Sequence, residues 1–388
     1  MTSDNLQLNR KQTADIAIVG GGVIGLSIAR ELALRGVHDV VVVDKGELGK
    51  EASWAAGGIL GPQVEADRAD EFFGLACASR DLYPDFAQVL HAETGIDVEL
   101  DTTGTLYIAF TEDEEIELLQ RFEWQQNSGL HVEWLDAADV RLVEPNVSDE
   151  ARCALRFPND WQVENRKLVE ALIVANQKLG VQLLPNCEVT SLRIDRDRVS
   201  GAETGNGNIS ASTVVLCAGA WTSGVTTTAL NFTPILIEPI RGQMLCFSPE
   251  EMMAQHVIYS QTGYLVPRRD GRVLAGSTSE HVGFDKRVTD EGMSGIKSMA
   301  IKIAPSLAFA PILDSWAGFR PRASDDLPVL GPDPDVEGLF YATGHYRNGI
   351  LLAPITAKLT ADSIVGRLTP QALEVFSPKR FRLAAVGI

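Results

Sequence analysis

Two short runs near the start of the chain, Asp15–Val19 and Val40–Val43, are apolar apart from the opening Asp15. A strand buried on both faces has that pattern, and such strands belong to parallel sheets covered by helices. Between the runs, Leu26, Ala29, Leu32 and Ala33 recur on one helical face. A helix is therefore expected from about Val23 to Arg35, with Gly36 just beyond its end. Strand, helix and strand make one βαβ unit. Val214–Gly219 repeats the buried-strand pattern far along the chain. Further helices are expected over about 70–94, over 163–179 and from Pro354 to Val365, where Pro354 suits a first turn. Thr111 and Glu114 have capping-box spacing, opening a helix that Gly129 closes.

Other stretches read as strands of a different kind. Residues 105–110 alternate apolar and polar, and 181–184, 189–194 and 199–204 are short strand candidates. From Thr233 to Phe247 and from Val257 to Ser277 strands dominate, with Asp270-Gly271 as a hairpin turn. Parallel elements thus occur in separated stretches with antiparallel ones between them. The expected class is α/β, with an α+β second lobe. A Rossmann-like dinucleotide domain, made of 13–85, 146–228 and 318–368, interleaves with an antiparallel-sheet substrate domain made of 86–145 and 229–317. Residues 1–12 and 369–388 are expected to be tails.

The turn after the first strand carries the first chemistry. Gly20, Gly22 and Gly25 stand at the G-x-G-x-x-G spacing between a strand and a helix. Gly20 permits a tight turn, Gly22 lets a pyrophosphate approach the backbone, and Gly25 lets the helix pack closely. The helix N-terminus offers unpaired N–H groups and partial positive charge to phosphates. Asp44 closes the second strand nineteen residues after Gly25 (44 − 25), where a carboxylate can take ribose hydroxyls. This unit predicts a dinucleotide without deciding between FAD and NAD.

Composition narrows the partners. A net charge of −18 argues against nucleic acid, whose phosphates need a basic surface. The five cysteines form no C-x-x-C pair and the six histidines show no metal spacing, so reduced thiols and no metal are expected. The apolar stretch from Ile16 to Ala29 is broken by glycines and too short to span a bilayer. No signal peptide is read, and a cytoplasmic protein is expected.

Four segments carry a resemblance. Ala52–Leu60, reading ASWAAGGIL, resembles the stretch beside the flavin in the D-amino-acid oxidase family of FAD enzymes. Val214–Trp221, reading VVLCAGAW, is similar to that family's second dinucleotide-flanking strand. Trp316–Gly331, reading WAGFRPRASDDLPVLG, is similar to its substrate-arginine segment. Gly344–Pro354, reading GHYRNGILLAP, looks most like the glycine oxidases of thiamine biosynthesis within that family. The resemblance implies non-covalent FAD lined by Val23, Ile24, Asp44, Lys45, Ala52, Ser53, Gly57, Gly58, Ile59, Val189, His345, Tyr346, Arg347, Asn348, Gly349, Ile350 and Leu351. Asp44 departs from the family's commoner Glu. The helix near Pro354 would aim its positive end at one edge of the flavin ring.

The resemblance also implies an arginine, here Arg320, that holds a substrate carboxylate through its planar fork. The competing reading is a salt bridge from Arg320 to Asp325 or Asp326. Arg322 is the neighbour expected to point away or to take those aspartates. Arg347 is expected to reach flavin and substrate, or else only local carbonyls. Tyr264 is expected to hydrogen-bond the carboxylate, or else to be a hairpin aromatic. His345 is read as a backbone position rather than a general base. The implied reaction is hydride transfer from a small amino acid to flavin, faster as the amine loses its proton. An imine hydrolysed to an oxo-acid and ammonia follows, with dioxygen reduced to peroxide. Glycine is the expected substrate, with sarcosine and small D-amino acids beside it, and the imine would feed thiazole assembly. A dehydrogenase with another acceptor, a non-catalytic flavoprotein and an NAD enzyme are the alternatives. A homo-oligomer, a tetramer by resemblance, is expected.

Overall fold

The computed structural model describes residues 12–229, 234–251 and 253–384. Its centre is a nine-stranded sheet. Gln12–Val19 lies between Val40–Val43 and Gly207–Leu216, parallel to both, and Gln182–Leu184 and Leu339–Thr343 extend the parallel part. Val40 to Val43 are all buried, as a fully apolar run in a covered sheet must be. Val189–Asp195 and Arg198–Thr204 continue the sheet as an antiparallel pair. The helices Val23–Leu34, Glu71–Thr94, Asn165–Lys178 and Gly349–Ile364 share one core on a single face.

The second sheet has eight strands, in the order 312–323, 237–247, 273–276, 263–267, 257–260, 105–109, 153–157 and 133–136. Its side chains alternate between two cores, as the pleat requires. Leu245, Phe247, Leu265 and Ala275 pack with Ile296, Met299, Ala300 and Ile303 of the helix Asp290–Ile303. Met244, Cys246, Tyr264, Val266 and Trp316 face the other way, towards Val64 and the partly buried Trp54, Ala55 and Ile59.

Several expectations need correction. The last long helix begins at Gly349, five residues before Pro354 (354 − 349). Pro354 sits inside it, where its missing N–H leaves the Ile350 carbonyl without its helical donor. The Tyr83 hydroxyl donates to that carbonyl instead, and Ser79 donates to the Leu351 carbonyl at 2.6 Å. The neighbouring helix thus repairs the break. The strand Cys153–Phe157, assigned by pattern to the dinucleotide stretch, pairs in the second sheet with Thr105–Ala109. The strand Ile312–Ala323 belongs to that sheet along its whole length, past the boundary expected at 318. Residues 370–384, read as tail, form a 3₁₀ turn and a short helix, with Leu373 and Phe376 buried in the first core. The first strand opens at Gln12, within the stretch read as a loose tail; residues 1–11 and Thr233 lie outside the described ones. The helix Asp290–Ile303 was not anticipated, because Gly292 and Gly295 weaken its propensity. It forms through the Thr289 cap and its buried stripe.

Candidate active site

One large cavity lies between the two sheets. Its first wall is the glycine turn. Gly20 takes φ +114°, and a Cβ on Gly25 would be driven into the Gly20 carbonyl, so the helix can start this tightly only with glycine there. The helix Val23–Leu34 has no side-chain cap at Gly22 and no acid in its first turn. The helix Gly349–Ile364, entering the cavity elsewhere, likewise has neither. Five other helices are capped by Asp70, Thr111, Asp136, Glu164 and Thr289. Two helix ends with free donors and partial positive charge therefore meet in one cavity. Asp44 accepts from Gly21 N at 2.7 Å and from Gly46 N at 2.9 Å. Desolvation pushes its carboxyl pKa up, against those two N–H groups. Near it the Lys45 ammonium lies 3.4 Å from the Trp221 ring centroid, its pKa lowered by desolvation.

The second wall is the small-residue segment 52–59. Ser53 Oγ accepts from Val23 N at 2.9 Å, tying the segment to the first helix. Asn165 donates to the Ser53 carbonyl at 2.8 Å, and Trp316 Nε1 donates to the Ala55 carbonyl at 3.0 Å. The segment is thus held by backbone carbonyls, leaving its small side chains and Gly57–Gly58 along the cavity. These features fit FAD: two uncapped helix ends, a carboxylate at the end of the second strand, and a close-approach wall of mostly small side chains.

The third wall comes from the second sheet. Arg320 is paired in register with Ile240, and its guanidinium crosses Gly242. A Cβ at Gly242 would stand 2.5 Å from both terminal nitrogens, so a side chain there would expel the arginine. Arg320 donates to the Thr278 carbonyl at 3.0 Å and to Ser277 Oγ at 2.5 Å. Tyr264 donates to the same Ser277 oxygen at 3.3 Å. Ser277 therefore joins the two groups expected to hold a carboxylate. Among the described residues no acid pairs with Arg320. Arg322 takes Asp326 at 2.6 Å and Arg380 takes Asp325 at 2.7 Å, so both nearby aspartates are occupied elsewhere.

Arg347 lines the cavity but is already neutralised. Its Nη2 lies 2.9 Å from Glu65 Oε1, and the Glu65 charge drives its pKa up. Tyr259 donates to the same Glu65 oxygen at 3.0 Å. Glu65 ends the short helix Pro62–Glu65, whose N–H groups at Gln63 and Val64 donate to buried Asp160. Burial raises the Asp160 pKa to about 7. This cluster ties three distant segments across the cavity.

His345 is 4% exposed, with Nε2 3.1 Å from Thr356 Oγ1. Burial lowers its pKa to about 3, so the ring is neutral in the folded protein near pH 7. The unfolded ring titrates near 6.5 and the folded ring near 3, so below pH 6.5 only the unfolded state gains the proton. Stability carried by His345 is whole above pH 6.5 and falls as pH drops towards 3. At pH 4.5 the loss is expected to be on the order of 2–3 kcal/mol. Urea unfolding at pH 7.5 and 4.5 checks this, since His345→Gln should shrink the difference between the two.

Every residue expected at the site lines this cavity except Gly25 and Leu351. Gly25 lies behind the turn, in its packing role. Leu351 is 1% exposed and faces the helical core, one residue past the end of the wall. Glu65, Tyr259 and Ser277 were not anticipated, and Trp221 entered only as the last residue of the Val214–Trp221 segment. The fold brings Glu65, Tyr259 and Trp221 to the cavity, and Ser277 bears on it through its bonds with Arg320 and Tyr264. Among the described residues no group of His, Cys, Asp or Glu could hold a metal, and no helix is long and apolar enough to cross a membrane. The five cysteines are unpaired.

A parallel sheet with a glycine turn, opening on a cavity floored by an arginine on a second sheet, defines a dinucleotide-dependent oxidoreductase. The chain belongs to the family of FAD dependent oxidoreductases, DAO, whose model matches residues 15–363. It is 36% identical over 352 residues to a glycine oxidase of Pseudomonas putida, covering 90% of this chain and 94% of that one. The crystal structure of glycine oxidase from Geobacillus kaustophilus superposes with a TM-score of 0.90 at 35% identity, covering 95% and 98% of the two chains. The bifunctional protein ThiO/ThiG of Synechocystis is 35% identical over 95% of this chain, which spans 54% of that longer protein.

Proposed function

We infer that this chain is an FAD-dependent glycine oxidase, converting glycine, dioxygen and water to glyoxylate, ammonia and hydrogen peroxide, with its imine intermediate serving thiamine thiazole synthesis. The observation that carries the substrate reading is Arg320: a cavity-facing guanidinium bonded only to neutral oxygens, beside the Tyr264 hydroxyl. A half-buried guanidinium at a cavity wall with no acid beside it is poised for an anion, and a substrate carboxylate supplies that charge through two parallel hydrogen bonds.

Bound FAD would supply the redox chemistry, as acceptor for a hydride from the amino acid with dioxygen as the final oxidant. The protein's own part is orientation and charge. The helix N-terminus at Val23 would hold the pyrophosphate, and Asp44 would take a ribose. Segment 52–59 and residues 345–350, which line the cavity, would hold the flavin, the second offering it the uncapped helix N-terminus at Gly349. Val189 closes the far end. Arg320 and Tyr264 fix the carboxylate, with Ser277 yielding its bonds to it. Fixing one end of so small a substrate fixes its α-carbon. Arg347, paired to Glu65, works as a wall of the substrate space and is not a second carboxylate clamp. His345 stays neutral and takes no proton. The two sheets act as a dinucleotide domain and a substrate domain, with the strands Cys153–Phe157 and Ile312–Ala323 counted in the second. The working protein is cytoplasmic and a homo-oligomer, in keeping with the resemblance of the Gly344–Pro354 motif.

The test is a peroxide-coupled screen of the purified protein with glycine, sarcosine and D-alanine, run beside its visible spectrum. The expected result is a yellow protein that bleaches anaerobically with glycine and yields one peroxide per glyoxylate in air. Bleaching without peroxide would move the reading to a dehydrogenase with another acceptor. A yellow protein that none of the three bleaches would remove the amino-acid reading altogether.

A further inference from the structure

Behind the cavity wall lies a cation that the reaction described above does not use. Arg268 follows the strand Gly263–Pro267 and is 5% exposed. Its Nη2 donates to the Gly57 carbonyl and to Asn165 Oδ1, each at 3.0 Å. Its Nη1 donates to the Val163 carbonyl at 2.9 Å and to Gln162 Oε1 at 3.2 Å. All four acceptors are neutral, and Nε has no partner. Glu164 is the acid that acts on it most, but that carboxylate caps a helix through Lys167 N at 2.8 Å. Burial lowers the Arg268 pKa only to about 10, so the charge persists at neutral pH.

A second arginine stands beside it. The Arg166 guanidinium lies 3.6 Å from the Trp54 ring centroid and 4.7 Å from that of Trp316. Its Nε donates to the Trp54 carbonyl at 3.4 Å, and its Nη2 is buried without a partner. Two guanidiniums thus bond the carbonyls of residues 54 and 57 from behind, while the front of that segment lines the cavity.

A structural arginine would ordinarily be matched with a carboxylate, because an uncompensated buried charge is expensive. The cost is recovered if negative charge develops on the cavity side. Two electrons and one proton leave the flavin ring system with one negative charge, and a fixed cation in a low-dielectric wall favours that form over the oxidised one. We propose that Arg268 is a positioning and electrostatic residue of the flavin site, which holds the wall at Gly57 and raises the reduction potential of the bound FAD. This rests on the flavin site alone, and would stand unchanged if the substrate were not glycine.

The experiment compares the holoenzyme with Arg268→Lys, which keeps the charge and loses the fork, and Arg268→Met, which loses both. FAD affinity is measured by titration of the apoprotein, and the midpoint potential by equilibration with reference dyes. Arg268→Met is expected to favour the reduced flavin at least tenfold less, a fall of about 30 mV for a two-electron couple. Arg268→Lys is expected to keep the wild-type potential while binding FAD more weakly. A wild-type potential in Arg268→Met overturns the electrostatic role. So does an equal fall in Arg268→Lys, which would assign the effect to wall geometry. If Arg268→Met does not hold FAD, the potential of Arg268→Lys decides alone. Loss of FAD from both variants also overturns the proposal, leaving Arg268 a purely structural residue.

Discussion

Arg320→Ala is expected to lower kcat/KM for glycine by roughly 10²–10³-fold, nearly all of it as a higher KM, while the protein stays yellow. Losing a charge-assisted, two-point hold on a carboxylate costs about 3–4 kcal/mol, and each 1.36 kcal/mol is a factor of ten. Glycine makes the effect large, since it has no side chain through which a second contact could compensate. The flavin should be spared because Arg320 bonds to Ser277 and Thr278 and to none of the segments that form the glycine turn. Steady-state kinetics with a visible spectrum check both halves. Arg320→Lys sharpens the comparison. An ammonium keeps the charge but cannot present two parallel donors, so only part of the loss should return. A normal KM in Arg320→Ala would remove the residue from the substrate site.

The occupied aspartates matter to this expectation. Had Arg320 been salt-bridged to Asp325 or Asp326, its removal would have cost stability before activity. Arg322 and Arg380 take those acids, on the outer side of the same segment. Ser277 then becomes the hinge of the site, since its single oxygen accepts from both Arg320 and Tyr264.

What could be read from the chain follows from the range of the forces involved. Val40–Val43 and the Thr111–Glu114 cap are local: an apolar run must be buried, and a hydroxyl three residues from a free N–H caps it. The glycine turn is local too, and that most of the residues named from the chain line one cavity follows from such short-range signals. Pro354 misled because its repair is not local. The hydroxyl of Tyr83 and that of Ser79, some 270 residues earlier, supply the bonds that let the helix continue. Leu351 was placed at the flavin for a related reason: a motif gives a stretch, and only the helix phase says where the stretch turns into the core. Glu65 carried no signal at all. A glutamate after Pro62-Gln63-Val64 is unremarkable until Arg347 and Tyr259 arrive from distant segments to share its oxygen. Arg320 was legible only through resemblance, since its meaning depends on partners that are neutral.

Gly25→Ala is expected to do the opposite of Arg320→Ala: to leave the substrate arginine in place and abolish tight FAD binding. The added methyl would enter the space of the Gly20 carbonyl. That obstacle is backbone, pinned because Gly20 N donates to the Val43 carbonyl at 2.8 Å and the strand behind it is paired on both sides. A flexible side chain could swing aside, but here the turn itself must open. Overpacking of this kind costs about 1–3 kcal/mol. The shift also moves the Val23 N–H that Ser53 holds in line, so the free donors at the helix end lose their common aim. FAD affinity should fall by roughly 10²-fold, and the protein should purify largely colourless while keeping its circular dichroism. Added FAD at high concentration should restore activity with a near-normal KM for glycine, because the third wall is untouched. A Gly25→Ala protein that purifies yellow with wild-type FAD affinity would mean that the turn tolerates a side chain. The pyrophosphate would then have to be held elsewhere in the cavity.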